Sequence, residues 1–275
     1  MSYREQKLNP DVKIWRYLDL SKFIKLLTDE DLYFPRADKF QDPFEGSSTI
    51  IGVKQRSLML ERAISDKSKD YPARIFYDGE WVELGKVKNG SEDAEVHKKI
   101  REIHFVSCWH ENETESEAMW KLYLKSGDGI AIQTTVGRLQ KSIEGFHTPI
   151  IIDRVNYIDY ETEPFDQKHG ISTPLFHKRN HFSHEREIRA VFPFLYSRDD
   201  GKYKVLDDYH QDNINAIHVP VNDLGTLIQN VYISPVSADW FHEVVDSVLE
   251  KFNVMKEDGT IMKVKHSKMK GIPIF

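Results

Sequence analysis

The sequence predicts an α+β fold: one domain over 1–275, built on a mixed, largely antiparallel central sheet with flanking helices. Three observations predict it. Short β-rich segments outnumber long amphipathic helices, and they follow one another without a regular strand–helix alternation. No glycine-rich strand-to-helix fingerprint of a doubly wound sheet occurs. No internal repeat or low-complexity linker divides the chain.

Val12 to Leu18 (VKIWRYL) is rich in β-formers and reads as a first strand. Asp19 or Ser21 then caps a helix whose Leu20, Phe23, Ile24 and Leu27 recur at helical spacing. Leu32 to Phe34 is a second strand stopped by Pro35, and 36–46 (RADKFQDPFEG) carries turn chemistry with dense charge. Residues 53–68 read as a helix, and 67–93 as a polar insertion or flap. A helix near 92–102 leads into the strand His104 to His110. Thr114 or Ser116 caps the next helix, whose first-turn acids suit the positive end of its dipole. Gly127-Asp128-Gly129 turns the chain into a strand over Ile130 to Thr135. Strands are expected at 149–159, 187–195, 214–219, 229–234 and near 261–266, with helices near 174–184 and over 238–252.

The 15 Phe, 12 Tyr and 5 Trp supply the area for a packed core. A net charge of −6 argues against a general nucleic-acid coat while leaving room for a local basic groove. The stretch Lys251 to Lys270, with six lysines against Glu257 and Asp258, is the basic part of the surface. The single cysteine, Cys108, forbids an intramolecular disulfide and fits a reducing compartment. No signal-peptide pattern opens the chain, and no apolar run approaches the ~20 residues of a membrane span. A cytoplasmic protein without a membrane partner is expected. No P-loop, H-E-x-x-H, paired C-x-x-C or G-x-S-x-G occurs, which removes those routes to phosphate, zinc and acyl chemistry.

Five constellations carry chemistry. His177, His181 and His184 share one face of the expected helix, and with Lys178 and Arg179 they form a cationic stripe. That pattern suits phosphate, a metal or a solvated polar face, and no carboxylate or thiol is spaced to complete a metal site. Cys108 shares a strand face with His104 and His110, although a lone cysteine in HFVSCW is more often a small core residue. Glu185, Glu187 and Arg189 point to one side of an extended chain. Arg189 can hold Glu187, and the paired carboxylates would raise one pKa if buried together. Arg36, Asp38, Asp42 and Glu45 gather around Pro43 and Phe44, where an Asx-turn explains Asp42 as well as a ligand would. Trp120 and Tyr123 lie at i and i+3 on a helix face, as core residues or as a stacking platform.

Taken in order, W-R-Y-L-D-L (15–20), L-Y-F-P (32–35), F-Q-D-P-F-E (40–45), V-S-C-W (106–109), M-W-K-L-Y (119–123), G-I-A-I (129–132) and H-E-R-E-I-R (184–189) resemble the bacterial domain-of-unknown-function 2971 family. H-V-P-V, V-Y-I-S-P and K-H-S complete the match. Pro35 and Gln41 stand where members commonly have a serine and an asparagine. A looser resemblance, Arg-Tyr ending the first strand and a late E-x-E, is to ADP-ribosyltransferase-like folds. It implies NAD as substrate, bound through Arg16, Tyr17, Tyr33, Arg36 and Arg189. Glu187 would stabilise the oxocarbenium-like transition state and Glu185 would orient the acceptor. Asp42, Trp120, Tyr123 and Lys178 are the expected substrate contacts. The family analogy implies a phage-defence or toxin-like setting. Two other readings stay open: a non-catalytic nucleotide or nucleic-acid binding module, and a metal-dependent nuclease using Asp42, Glu45, Glu185 and Glu187.

Overall fold

The computed structural model describes residues 8–65, 71–77, 80–87, 98–124, 127–146, 149–193, 196–197, 203–204 and 214–271. Its first strand, β1 (Lys13–Leu18), sends Ile14 and Leu18 to one face and Trp15 and Tyr17 to the other, so both faces of the sheet must be covered. Helix α1 (Leu20–Asp29) begins where Asp19 accepts the Lys22 N–H at 2.8 Å, and buries Phe23, Leu26 and Leu27. It ends at Glu30, whose left-handed φ of 50° sends the chain into β2 (Asp31–Pro35). Helix α2 (Ile50–Ser65) and the hairpin β3 (Tyr71–Tyr77)–β4 (Glu80–Val87) follow. The hairpin occupies much of the expected flap, the rest of which lies outside the described residues. Residues 98–102 are helical.

The middle of the chain supplies β5 (His104–Glu111), α3 (Glu117–Tyr123), β6 (Ile130–Thr135), α4 (Val136–Ser142), β7 (Ile151–Arg154) and β8 (Asn156–Ile158). Then come β9 (His177–Arg179), β10 (Glu187–Pro193) and the short pair β11 (Tyr196–Ser197) and β12 (Tyr203–Lys204). The last elements are β13 (Ala216–Pro220), α5 (Leu224–Leu227), β14 (Asn230–Ile233), α6 (Asp239–Lys251) and β15 (Val264–His266).

Seven strands form one sheet in the order β15-β14-β6-β1-β5-β10-β7, antiparallel except for the parallel β14–β15 pair. The fold is α+β with a mixed central sheet, as the element pattern predicts. The main core lies on the face carrying Ile14, Trp109, Ile132, Ile188 and Val231, covered by α1, α4 and α6 through Leu27, Leu139 and Val245. On the other face, Trp15 and Tyr17 pack against Met119 and Trp120 of α3. No helix among the described residues is long and apolar enough to cross a membrane.

One expected element is wrong. The helix near 174–184 does not form: Gly170–Phe176 is a 3-10 helix, His177–Arg179 is strand β9, and Asn180–Glu185 is a second 3-10 helix. Pro174 lies within the first turn segment and disfavours a regular helix there. His177, His181 and His184 therefore share no helical face. His177 is buried, its Nδ1 against the Thr173 carbonyl at 2.8 Å, while His181 and His184 are exposed.

Candidate functional site

Strand β1 pairs with β6 along its whole length but with β5 only at Ile14↔Glu111 and Trp15↔His110. Beyond that point the seam between β1 and β5 opens. Arg16 bridges it, donating to Ser107 Oγ at 3.0 Å and to the Tyr33 carbonyl at 3.2 Å, with its guanidinium 5.5 Å from the Trp109 ring centre. It has no carboxylate partner among the described residues.

A cavity of about 540 Å³ lies over this seam. Its floor is set by β5 and β10, where Glu187 faces His110 and Arg189 faces Cys108 across the ladder. Three other segments close around it. The loop after β2 contributes Asp42 and Glu45, strand β9 contributes Lys178, and α3 contributes Tyr123. Asp42 does make the expected Asx-turn, with Oδ1 accepting the Phe44 N–H at 3.1 Å. The following Gly46 has φ +70°, and a side chain there would meet Leu175 Cδ2 at 2.9 Å, so glycine is what lets Glu45 turn inward.

Inside, the charges interlock. Lys178 Nζ lies 2.7 Å from Glu185, 2.7 Å from Glu187 and 3.1 Å from Glu45. Arg189 Nε donates to Glu187 at 2.7 Å, and its other nitrogens reach Glu45 and the Leu175 carbonyl. Arg179 pairs with Asp42 at 2.9 Å and lies 4.2 Å from the Phe44 ring centre. Burial, then the hydrogen bond and charge of Glu187, push the Glu185 carboxyl up to about 7. Glu187 goes the other way: although it too is buried, Arg189 and Lys178 hold it ionised, well below the usual carboxylate range. The pair therefore holds one ready proton donor or acceptor beside one fixed negative charge.

Residue 186 makes this possible. The strand begins only at Glu187, and Glu185 belongs to the preceding 3-10 turn, joined to it by Arg186 at φ 40°. The carboxylates meet through that left-handed joint and not through the simple strand alternation expected for 185, 187 and 189.

Of the sequence-singled residues, Glu185, Glu187, Arg189, Lys178, Asp42, Arg16, Tyr17, Tyr33 and Tyr123 line the cavity. Arg36 and Trp120 do not. Arg36 is buried against Asp38 at 2.7 Å, and Trp120 lies edge-on beneath Tyr17 and donates to Glu115 at 3.2 Å. Tyr17 is itself enclosed, with its hydroxyl accepting the Ser116 N–H at 2.9 Å; Tyr33 and Tyr123 are the rings open to solvent. Burial and the neighbouring Glu187 push the Cys108 thiol up, so it stays protonated and a poor nucleophile. His104 is occupied at both ring nitrogens by the Ile100 carbonyl and Ser172. Sequence reasoning missed Phe40 and Phe182, which line the cavity; Lys178 Nζ lies 4.7 Å from the Phe182 ring centre. Isolated aromatics in polar loops give no periodic signal. A second cavity of about 500 Å³ shares Arg16, Leu18, Lys22 and Tyr33 with the first, and adds the apolar walls of Leu26 and Leu32.

The chain matches no family model, no curated protein and no solved structure. Fold and side chains define only a class: an α+β protein with a cleft, at the opened seam of its sheet, whose carboxylates and cations are locked in ion pairs.

Proposed function

We propose that the protein is an enzyme that breaks the N-glycosidic bond of a nucleotide, with NAD as substrate, either hydrolysing it or transferring its ADP-ribosyl group. The observation that carries this is the carboxyl pair, Glu187 held ionised and Glu185 able to hold a proton, in a cleft also lined by Arg16, which has no carboxylate partner among the described residues. In the reaction the C1′–N bond breaks and its electron pair leaves with nicotinamide. The sugar develops oxocarbenium character, and a water or acceptor oxygen then bonds to C1′ and gives up its proton. Glu187 is the fixed negative charge beside the developing positive one, a role worth several kcal/mol when the carboxylate is already oriented. Lys178 and Arg189 provide that orientation, one on each carboxylate oxygen. Glu185, titrating near neutrality, takes the acceptor's proton.

The neighbouring cavity supports a two-part substrate. Arg16, at the wall common to both, suits the pyrophosphate, and Tyr33 with Leu18, Leu26 and Leu32 suits the adenosine half. The resemblances to ADP-ribosyltransferase-like folds and to the domain-of-unknown-function 2971 family point the same way, and the latter suggests a bacterial defence or toxin-like setting.

The other readings draw less support. Lys178 and Arg189 spend their charge on carboxylates, which leaves them little for phosphate in a pure binding module. A nuclease metal would have to displace Lys178 Nζ from among Glu45, Glu185 and Glu187.

Nicotinamide release from NAD, measured for wild type beside Glu187→Gln, tests the proposal. Release that drops by at least ~10²-fold in a variant that remains folded under the assay conditions supports it. Equal release in the variant would remove Glu187 from the chemistry. If neither protein releases nicotinamide nor binds NAD saturably, the reading falls, and salt-dependent oligonucleotide binding becomes the next assay.

A further inference from the structure

His110 is the polar side chain of the cleft that its surroundings leave unfinished. It lines the cavity from β5, is only 3% exposed, and lies across the ladder from Glu187. Its Nδ1 is 2.6 Å from the Glu185 backbone carbonyl. A carbonyl only accepts, so Nδ1 carries the hydrogen, and in the neutral ring Nε2 is left as a bare lone pair. That Nε2 is buried and has no partner among the described residues. The surroundings keep the ring neutral. Burial lowers its pKa, with Arg186 and His184 adding to it, against the hydrogen bond to the Glu185 carbonyl and the charge of Glu111, which raise it. Trp15 across β1 and the Tyr17 ring, 6.3 Å away between centroids, complete its enclosure. Asp42 repeats the pattern: its side chain is 6% exposed, and Oδ2 is buried with no partner among the described residues while Oδ1 is taken by Arg179. Both buried, unpartnered atoms on the cavity-lining residues are thus acceptors. A buried acceptor left unmet is costly, so an occupant of this cleft gains by bringing donors.

We propose that His110 Nε2 is a specificity determinant that accepts a hydrogen bond from a sugar hydroxyl of the ligand, so that the cleft selects a ribosyl group over its deoxy analogue. The choice of a sugar hydroxyl rests on the nucleotide reading above; the need for a donor does not. Next to Glu187 the hydroxyl concerned is one on the ribose that undergoes bond cleavage, and His110 positions that sugar against the carboxylate.

Two measurements on the full chain test this. In the first, NAD and NAD lacking the 2′- or the 3′-hydroxyl on the nicotinamide ribose are compared in wild type, His110→Phe and His110→Gln. Wild type should lose roughly 10- to 100-fold in kcat/KM with one of the deoxy substrates. His110→Phe should not distinguish that substrate from NAD, and His110→Gln, which keeps an acceptor, should restore part of the discrimination. A merely structural role would lower all three substrates together. In the second, the ¹⁵N resonance of His110 Nε2 is followed while ADP-ribose is added, which needs no turnover. A shift of Nε2 with no NAD cleavage keeps the proposal and removes the glycosidic reading. Cleavage with Nε2 unmoved, or with His110→Phe as discriminating as wild type, overturns the proposal and keeps the reading. No shift and no cleavage overturn both.

Discussion

Replacing Glu185 by glutamine should stabilise the protein at pH 8 relative to its effect at pH 5, because the fold holds this carboxyl out of its preferred state. Burial and the adjoining Glu187 move the Glu185 carboxyl from its ordinary 4.5 to about 7. A carboxyl raised in the fold binds a proton that the unfolded chain has already lost, so its contribution is most favourable below 4.5 and declines as pH rises to 7. Each pH unit across that gap is worth about 1.4 kcal/mol, which gives about 3 kcal/mol over the window. Glutamine keeps an oxygen for Lys178 Nζ, now 2.7 Å from the carboxylate, and has no proton to lose. Glu187 titrates below the window, since its pKa is depressed. The buried imidazoles His104, His110 and His177, whose pKa values are lowered by burial, contribute equally to both proteins and cancel in the difference. Urea unfolding of wild type and variant at pH 5, 6, 7 and 8, read by tryptophan fluorescence, gives that difference directly. The variant should gain about 2–3 kcal/mol on wild type between pH 5 and pH 8. A pH-independent difference, or one of opposite slope, would mean that Glu185 is an ordinary surface carboxylate and that the acid–base argument is wrong.

Three further outcomes follow from the same geometry. Arg16→Gln should weaken NAD binding by roughly 10- to 100-fold, since it removes a charged donor, and should cost about 1–3 kcal/mol of stability, because its hydrogen bonds to Ser107 and the Tyr33 carbonyl are lost; calorimetric titration reads the first and thermal melting the second. Lys178→Met should cost about 3–5 kcal/mol at pH 8, because it leaves Glu45 and Glu187 to share the Arg189 guanidinium and takes from Glu185 its Lys178 partner; a loss below about 1 kcal/mol would show that the cluster is solvated. Arg186 is exposed at φ 40°, so Arg186→Gly should be neutral or stabilising by up to about 1 kcal/mol, while Arg186→Val should lose at least that much. Unfolding midpoints that place valine level with glycine would refute the joint.

The sheet was legible because its strands carry β-branched and aromatic residues bounded by turn chemistry, and because Asp19 and Ser116 each cap a helix from the side chain. Strand order was not, since the pairing of β1 with both β6 and β5 depends on contacts far apart in sequence. The error over 174–184 has a local cause. Histidines at helical spacing imitate a helix face, but Pro174 and the buried, side-chain-satisfied His177 belong to a segment whose backbone bonds go elsewhere: β9 pairs in parallel with β8. The E-x-E-x-R pattern did reveal the ionic heart of the site, including the Arg189–Glu187 pair and one raised carboxyl. Glu45 and Lys178 stand out in the sequence as well, Glu45 beside Glu185 and Glu187 as a metal ligand and Lys178 as a substrate contact, but not their ion pair with each other, which forms across more than a hundred residues and follows from no local spacing.

That gap bears on why the cleft reads as a site and not only as a clasp. An ion network that merely tied three segments together would be complete once its charges were matched, and Glu45, Lys178, Glu187 and Arg189 already achieve that balance. Glu185 is the surplus carboxylate. It adds desolvation and like-charge cost, and it is reached only through a left-handed non-glycine residue that itself carries a conformational penalty. The Arg16 guanidinium, which lines the same cavity, has no carboxylate partner among the described residues, and the buried His110 Nε2 has no partner among them either. Packing alone favours removing all three, by neutralising the carboxyl, pairing the cation or replacing the imidazole. Under the proposed reading, a ligand with an anionic centre, a hydroxyl donor and a transferable proton would engage all three groups at once.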